Sequence, residues 1–509
     1  MTESISAVAS PSTASSFKTH TIAGFPPGVW LLSFTELFER ASYYGLLAIL
    51  ALYLSAGVEE GGFGWSDQSA LKLYGLFSGL AFILPLLGGW IADALLGERR
   101  CLFLGAILIL LGQGLIVSPW LISYLSDHLF ALDFLQLLRK SGAPLGYVLG
   151  GEPWEAVQAT AAQAGVSKTV AVAAYSLTSI SFLGGLAIIV VGTGLFKPTI
   201  SSLISRFYDD KHPRRDSAFA LFLLGMLVGQ VFGMLAAGYV GERVGWYAGF
   251  ASAGFGIVLG LLPYLALQRR YLGDIGVGRK VVARTDHGKV ALTSIELDRI
   301  KAIIIIIIFS VIFCTVVFQS GPLTLFAKRH VDLARWGWQI PAGWFPMVGA
   351  TAFILFIPAV TWLLERRAML GRPVRTSRRL VIGLIAGGLG HLIIAYPLLT
   401  SPDPDHNLIS PLWLIITYML FGLSETFVWA GVFSLTTKLA PKHLTVLSIG
   451  GIYLSMGVGV WLATYVGTFS YSLGVSTILT SVAVLGFSAA ALLWLLGGSI
   501  ARLTHGIED

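Results

Sequence analysis

The sequence predicts an all-α polytopic membrane protein with twelve transmembrane helices in two six-helix halves. Of its 509 residues, 55% are hydrophobic and only 12% are charged, about half the charged share of a soluble protein. Twelve apolar runs are each long enough to cross a bilayer, for which about 20 residues suffice. A charged motif recurs at the ends of the second and eighth runs, and a charged connection divides the runs six and six. Cys101 and Cys314 lie within apolar runs and offer neither a disulfide framework nor metal spacing.

Residues 1–27 are rich in Ser, Thr and Ala and contain no apolar core, so they read as a disordered tail and not a cleaved signal peptide. Spans follow near 28–54, 68–93, 101–120, 173–203, 217–240 and 245–267, forming a first bundle over 28–267. After a charged linker, 268–300, the second bundle fills 301–497 with spans near 301–326, 343–365, 379–399, 411–438, 444–468 and 474–497; a short tail, 498–509, closes the chain. Of 34 Lys and Arg residues, 24 lie in the alternate segments that include both termini, against 7 in the others. This bias predicts a cell (inner) membrane protein with both ends in the cytoplasm. The net charge of +7 is therefore dispersed flanking charge, with no interleaved stacking surface for nucleic acid.

The connection 121–172 is far longer than packed helices need. Leucines recur every third residue from Leu129 to Leu138, and the stretch from Trp154 to Lys168 is Ala-rich and weakly amphipathic. It reads as one or two short external helices on the bundle or membrane surface.

Span 2 closes with Gly89-Trp90-Ile91-Ala92-Asp93-Ala94-Leu95-Leu96-Gly97-Glu98-Arg99-Arg100, and span 8 with Trp362-Leu363-Leu364-Glu365-Arg366-Arg367. Each sets an acid three residues after a Trp with Arg beyond, which supports two related halves. The first copy resembles the cytoplasmic loop motif of the major facilitator superfamily. The resemblance implies that fold, with Asp93, Arg99 and Arg100 pinning neighbouring helix ends in one state of a transport cycle.

Charges inside the spans carry the functional reading. Glu36, Glu39, Arg40, Tyr43 and Tyr44 fall at helical spacing on one face of span 1. Each mid-membrane charge costs roughly 2.5–3.5 kcal/mol, so that face belongs in a polar bundle interior. A plain Glu36–Arg40 pair accounts for two charges and leaves Glu39 over. Lys197 lies in span 4, where snorkelling is the alternative to an interior position, and Glu425 lies in span 10 with no such escape. Three acids thus share the interior with two bases. Burial favours the neutral form of an unpaired carboxylate and a nearby cation favours the charged one, so exchange of partners moves a proton on or off. Arg40 and Lys197 suit a substrate carboxylate, Glu425 an ammonium, and Tyr43, Tyr44 and Trp429 apolar subsites.

Glu36-x-x-Glu39-Arg40-x-x-Tyr43-Tyr44-Gly45 resembles the signature of the proton-dependent oligopeptide transporters. So do Gly194-Leu195-Phe196-Lys197-Pro198, and Glu425 followed by Thr436-Thr437-Lys438-Leu439-Ala440-Pro441. The resemblance implies proton-coupled import of di- and tripeptides by alternating access. It assigns proton coupling to Glu36, Glu39, Arg40 and Lys197, the peptide carboxylate to Arg40 and Lys197, and the peptide amine to Glu425. Gln319, strongly polar within span 7, completes a substrate-binding set with Tyr43, Tyr44 and Trp429. No cofactor or metal is expected beyond the proton gradient; the partners are peptide, protons and the lipid bilayer, and the protein is expected to work as a monomer.

The sequence also departs from this family. Leu47 stands where the family has a second arginine, span 7 has no acid, and Leu227, Gly349 and Phe82 align with polar peptide contacts. The two missing gate charges are coherent together, because one alone would be stranded. The nearest alternative is the same scaffold carrying nitrate, another organic anion or a peptide-like drug. An intramembrane enzyme lacks its motifs here, His391 standing alone, and a channel lacks rings of charge.

Overall fold

A computed structural model describes residues 21–57, 60–129, 168–208, 214–277, 292–334, 337–401, 408–441 and 444–507. Twelve helices are long and apolar enough to cross a membrane. They are α1 Pro27–Ser55, α2 Asp67–Leu96, α3 Glu98–Leu121, α4 Thr178–Ser205, α5 Arg215–Arg243, α6 Trp246–Leu272, α7 Ser294–His330, α8 Ala342–Met369, α9 Thr376–Thr400, α10 Pro411–Leu439, α11 Leu447–Leu473 and α12 Val475–Leu503. Most of the connection 121–172, including the expected surface helices, lies outside the described residues. Of the linker, helix takes more than the sequence suggested: α6 runs to Leu272 and α7 starts at Ser294, behind a Thr293–Glu296 capping box.

Local chemistry sets the ends and breaks. Pro27 and Pro411 open α1 and α10, where a missing N–H costs nothing. At Pro85 α2 is interrupted, the α-helix stopping at Ile83 and restarting at the proline, and the helix then ends in a π-helical turn, Ala92–Leu96. In α7, Pro322 cannot donate to the carbonyl of Phe318, and the α-helix stops at Val317 before resuming at Ser320.

In the first half α1 packs between α5 and α6, and α3 against α4; in the second, α9 packs on α10 and α12, and α8 on α10. A Cβ on Gly229 of α5 would lie 2.0 Å from the Leu37 carbonyl, so glycine there lets α5 close directly over the charged face of α1. The halves meet along α2 with α11 and α5 with α8. Asp67, Arg329 and Tyr471 join them at the end of the bundle away from the termini, as do Glu242 with the Gly343 N–H at 2.8 Å and the Trp344 indole with the Leu235 carbonyl at 2.9 Å.

Candidate functional site

Glu36, Glu39 and Arg40 are all buried, each no more than 3% exposed. Arg40 Nε lies 2.8 Å from Glu36 Oε1, and Nη2 lies 2.7 Å from Glu39 Oε2. One guanidinium therefore serves both carboxylates, and no acid of the triplet is left over. The Arg40 guanidinium also lies 5.9 Å from the Tyr43 ring centroid. Tyr43 is buried, stacks on Phe77 and meets Tyr44 edge-on.

Lys197 faces inward and does not snorkel. Its ammonium sits 4.7 Å from both the Tyr43 and Phe82 ring centroids and donates to the Ala81 carbonyl at 3.2 Å. That carbonyl is free because the residue four further on is Pro85, which has no N–H to offer it. Close packing delivers the lysine: a Cβ on Gly88 would stand 1.9 Å from the Gly194 carbonyl. Among the described residues no carboxylate comes within ion-pair distance of Lys197.

Across the interface, Glu425 Oε2 accepts from the Trp429 indole at 3.3 Å. No cation pairs with it among the described residues. Rings complete a wall: Phe82 stacks with Phe318 at 6.5 Å, and Phe318 meets Trp429 at 6.0 Å. Phe318 reaches this position because α7 is broken there. The sequence reading passed over Phe318, whose signal was the proline four residues later.

Gln319 is buried but folds back on α7, its amide donating to the Thr315 carbonyl at 2.7 Å. It lines a small cavity with His391, Arg329 and Tyr471, apart from Glu425. His391 is buried and its Nδ1 lies 2.9 Å from the Gly387 carbonyl, a packed residue in α9. Leu47 is buried in the apolar core.

In the α2–α3 turn, Arg99 donates to the Gly273 carbonyl at 2.5 Å and to Gln268 Oε1 at 3.2 Å, tying α3 to the end of α6. Asp93 lies in the π-helical turn and Arg100 is exposed. A tie to α4 comes from Glu98, which accepts from Ser202 at 2.7 Å and from Arg206 at 2.8 Å. Glu98 is the member of the motif that sequence reasoning did not single out. Its signal was an acid opening a helix, opposite an arginine just past the end of α4.

Among the described residues no group of three or more His, Cys, Asp or Glu could hold a metal. Twelve spanning helices in two halves, with a sealed cluster of opposite charges between them, define a membrane transporter of the secondary type and not an enzyme. Residues 99–294 and 287–480 match the POT family model, and the chain belongs to that family. It is 26% identical over 482 residues to the uncharacterized transporter YclF of Bacillus subtilis, covering 85% of each chain. It is 24% identical over 506 residues to the peptide transporter YePEPT of Yersinia enterocolitica, covering 88% of each. Its fold matches a crystal structure of a peptide transporter POT in complex with sulfate, with TM-score 0.78, 23% identity and coverage of 96% of this chain and 98% of that one. A POT family transporter in complex with 5-aminolevulinic acid gives TM-score 0.78 at 19% identity, covering 96% and 99%.

Proposed function

We propose that this transporter imports di- and tripeptides together with protons, by alternating access of one central site. The observation that carries the reading is the sharing of Arg40 between Glu36 and Glu39, with Lys197 and Glu425 facing the same interior and having no ion partner among the described residues. A proton on either glutamate removes one of the two charges that hold Arg40. The guanidinium then has free donors for a peptide carboxylate, with Lys197 beside it. Glu425 supplies the negative group for the peptide amine, and Trp429 and Tyr44 stand over the backbone between. Loss of the proton restores both pairs and expels the carboxylate. Each pH unit of gradient supplies about 1.4 kcal/mol per proton, enough for roughly tenfold accumulation.

The bias of basic residues supports placing the termini end in the cytoplasm of a cell (inner) membrane. The far-end clasp is then the external closure, and Asp67 with Arg329 takes the place of the gate charges that Leu47 and the acid-free stretch of α7 from Ala302 to Ala327 cannot form. The site is complete within one chain, which supports function as a monomer powered by the proton gradient alone. The test is reconstituted uptake of labelled dialanine under an inward acid gradient, competed with longer peptides and nitrate. Accumulation that collapses with the gradient and yields to tripeptides supports the reading; competition by nitrate but not peptides overturns it. A different small solute is the second reading, favoured by Leu227 and Gly349, where the aligned contacts are apolar or absent.

A further inference from the structure

At the termini end of the first half, a cleft of about 540 Å³ opens between the α2–α3 turn and the last turns of α6. Arg99, Arg100 and Gln268 line it, and Arg269 lines its continuation. Its other wall is apolar: Leu96, Phe103 and Leu265, of which Phe103 and Leu265 are each 38% exposed. The cleft is a built feature of the fold. Gly273 and Gly276 turn the chain back at φ of 51° and 78° after α6, and Arg99 holds that turn through the Gly273 carbonyl and, by its own backbone N–H, the Gly276 carbonyl at 3.3 Å.

The charges in this cleft are unbalanced. Arg100 and Arg269 are exposed, and no carboxylate pairs with either among the described residues. Glu98, the nearest acid in sequence, is turned away toward Ser202 and Arg206. Asp274 is the one acid among the described lining residues, and it is exposed in the continuation beside Arg269. Basic residues at span ends are ordinary, but here they converge on a concavity whose opposite wall is apolar and part exposed. Arg99 and Arg100 open α3 and Arg269 closes α6, so the cleft lies where the apolar belt meets the polar headgroup layer.

We propose that this cleft is a binding site for an anionic glycerophospholipid. The phosphodiester sits among Arg99, Arg100 and Arg269, Gln268 faces the headgroup hydroxyls, and an acyl chain lies along Phe103 and Leu265. Guanidinium forks match phosphate oxygens, and basic pockets between membrane helices recruit such headgroups. The apolar wall favours a lipid over free phosphate, which has nothing to place there.

Native mass spectrometry of the purified, delipidated protein titrated with phosphatidylglycerol or phosphatidylcholine tests this. The expected result is a tightly retained phosphatidylglycerol, favoured at least tenfold over phosphatidylcholine and not displaced by millimolar inorganic phosphate. Retention should fall about tenfold in Arg100→Gln/Arg269→Gln and be unchanged in Arg372→Gln/Arg378→Gln, which removes two exposed arginines elsewhere at the same end of the bundle. Both double variants are first checked for a single monodisperse peak. Equal retention of the two lipids, displacement by inorganic phosphate, or equal loss in both double variants would overturn the proposal.

Discussion

Arg329, near the end of α7, grips Asp67, the first residue of α2, through Nε and Nη2 at 2.5 and 2.7 Å, and so ties one six-helix half to the other. Tyr471 of α11 donates to the same carboxylate. Asp67 is buried whereas Arg329 is half exposed, so loss of the arginine strands the costlier charge. A hydrogen bond to a charged group contributes about 1.5–3 kcal/mol, equivalent to roughly a ten- to hundredfold change between conformations. In Arg329→Gln the far end should open more often. Spin labels on the far tips of α2 and α7 should show a new, longer distance; an unchanged distribution would mean that the Glu242 and Trp344 contacts hold the closure by themselves.

Glu36→Gln and Glu39→Gln should each leave Arg40 with one carboxylate partner and remove a proton acceptor. Gradient-driven peptide accumulation should fall at least tenfold in both variants, while exchange of labelled for unlabelled peptide without a gradient persists. Undiminished accumulation in both would separate proton movement from this triplet.

Glu425 faces the interior with the Trp429 indole as its one hydrogen-bond partner among the described residues, which leaves it available to a peptide amine. In the parent, acetylating the amine of dialanine should weaken its competition about tenfold or more. In Glu425→Gln the free and acetylated peptides should compete alike. Equal competition by both in the parent would remove the role.

Pro85, having no N–H, leaves the Ala81 carbonyl to Lys197. Pro85→Ala supplies an N–H that closes the α2 hydrogen bond and competes with the ammonium. The interruption at Leu84 should close and the pH at which uptake is half-maximal should shift, with peptide exchange retained. A variant whose pH profile superimposes on the parent's would reduce Pro85 to a structural helix break.

Sequence alone determined the twelve spans and the polar face of α1, because hydrocarbon admits only long apolar helices and penalises stray charge. It also marked Glu425 and Lys197 as interior groups. It could not say what they touch. Arg40 curls back to Glu39 as well as reaching Glu36, a geometry set by α5 closing over α1 at Gly229. Lys197 meets the Tyr43 ring of α1, the Phe82 ring and Ala81 carbonyl of α2 and, among the described residues, no carboxylate, since packing at Gly88 and the proline at 85 bring it against α2. Gln319, polar and in the right span, turns away into another cavity. The far-end clasp joins residues 262 and 404 positions apart, so no local pattern announces it. Composition and periodicity report what a segment can tolerate around it; which partner it finds is decided by how helices distant in the chain are brought side by side.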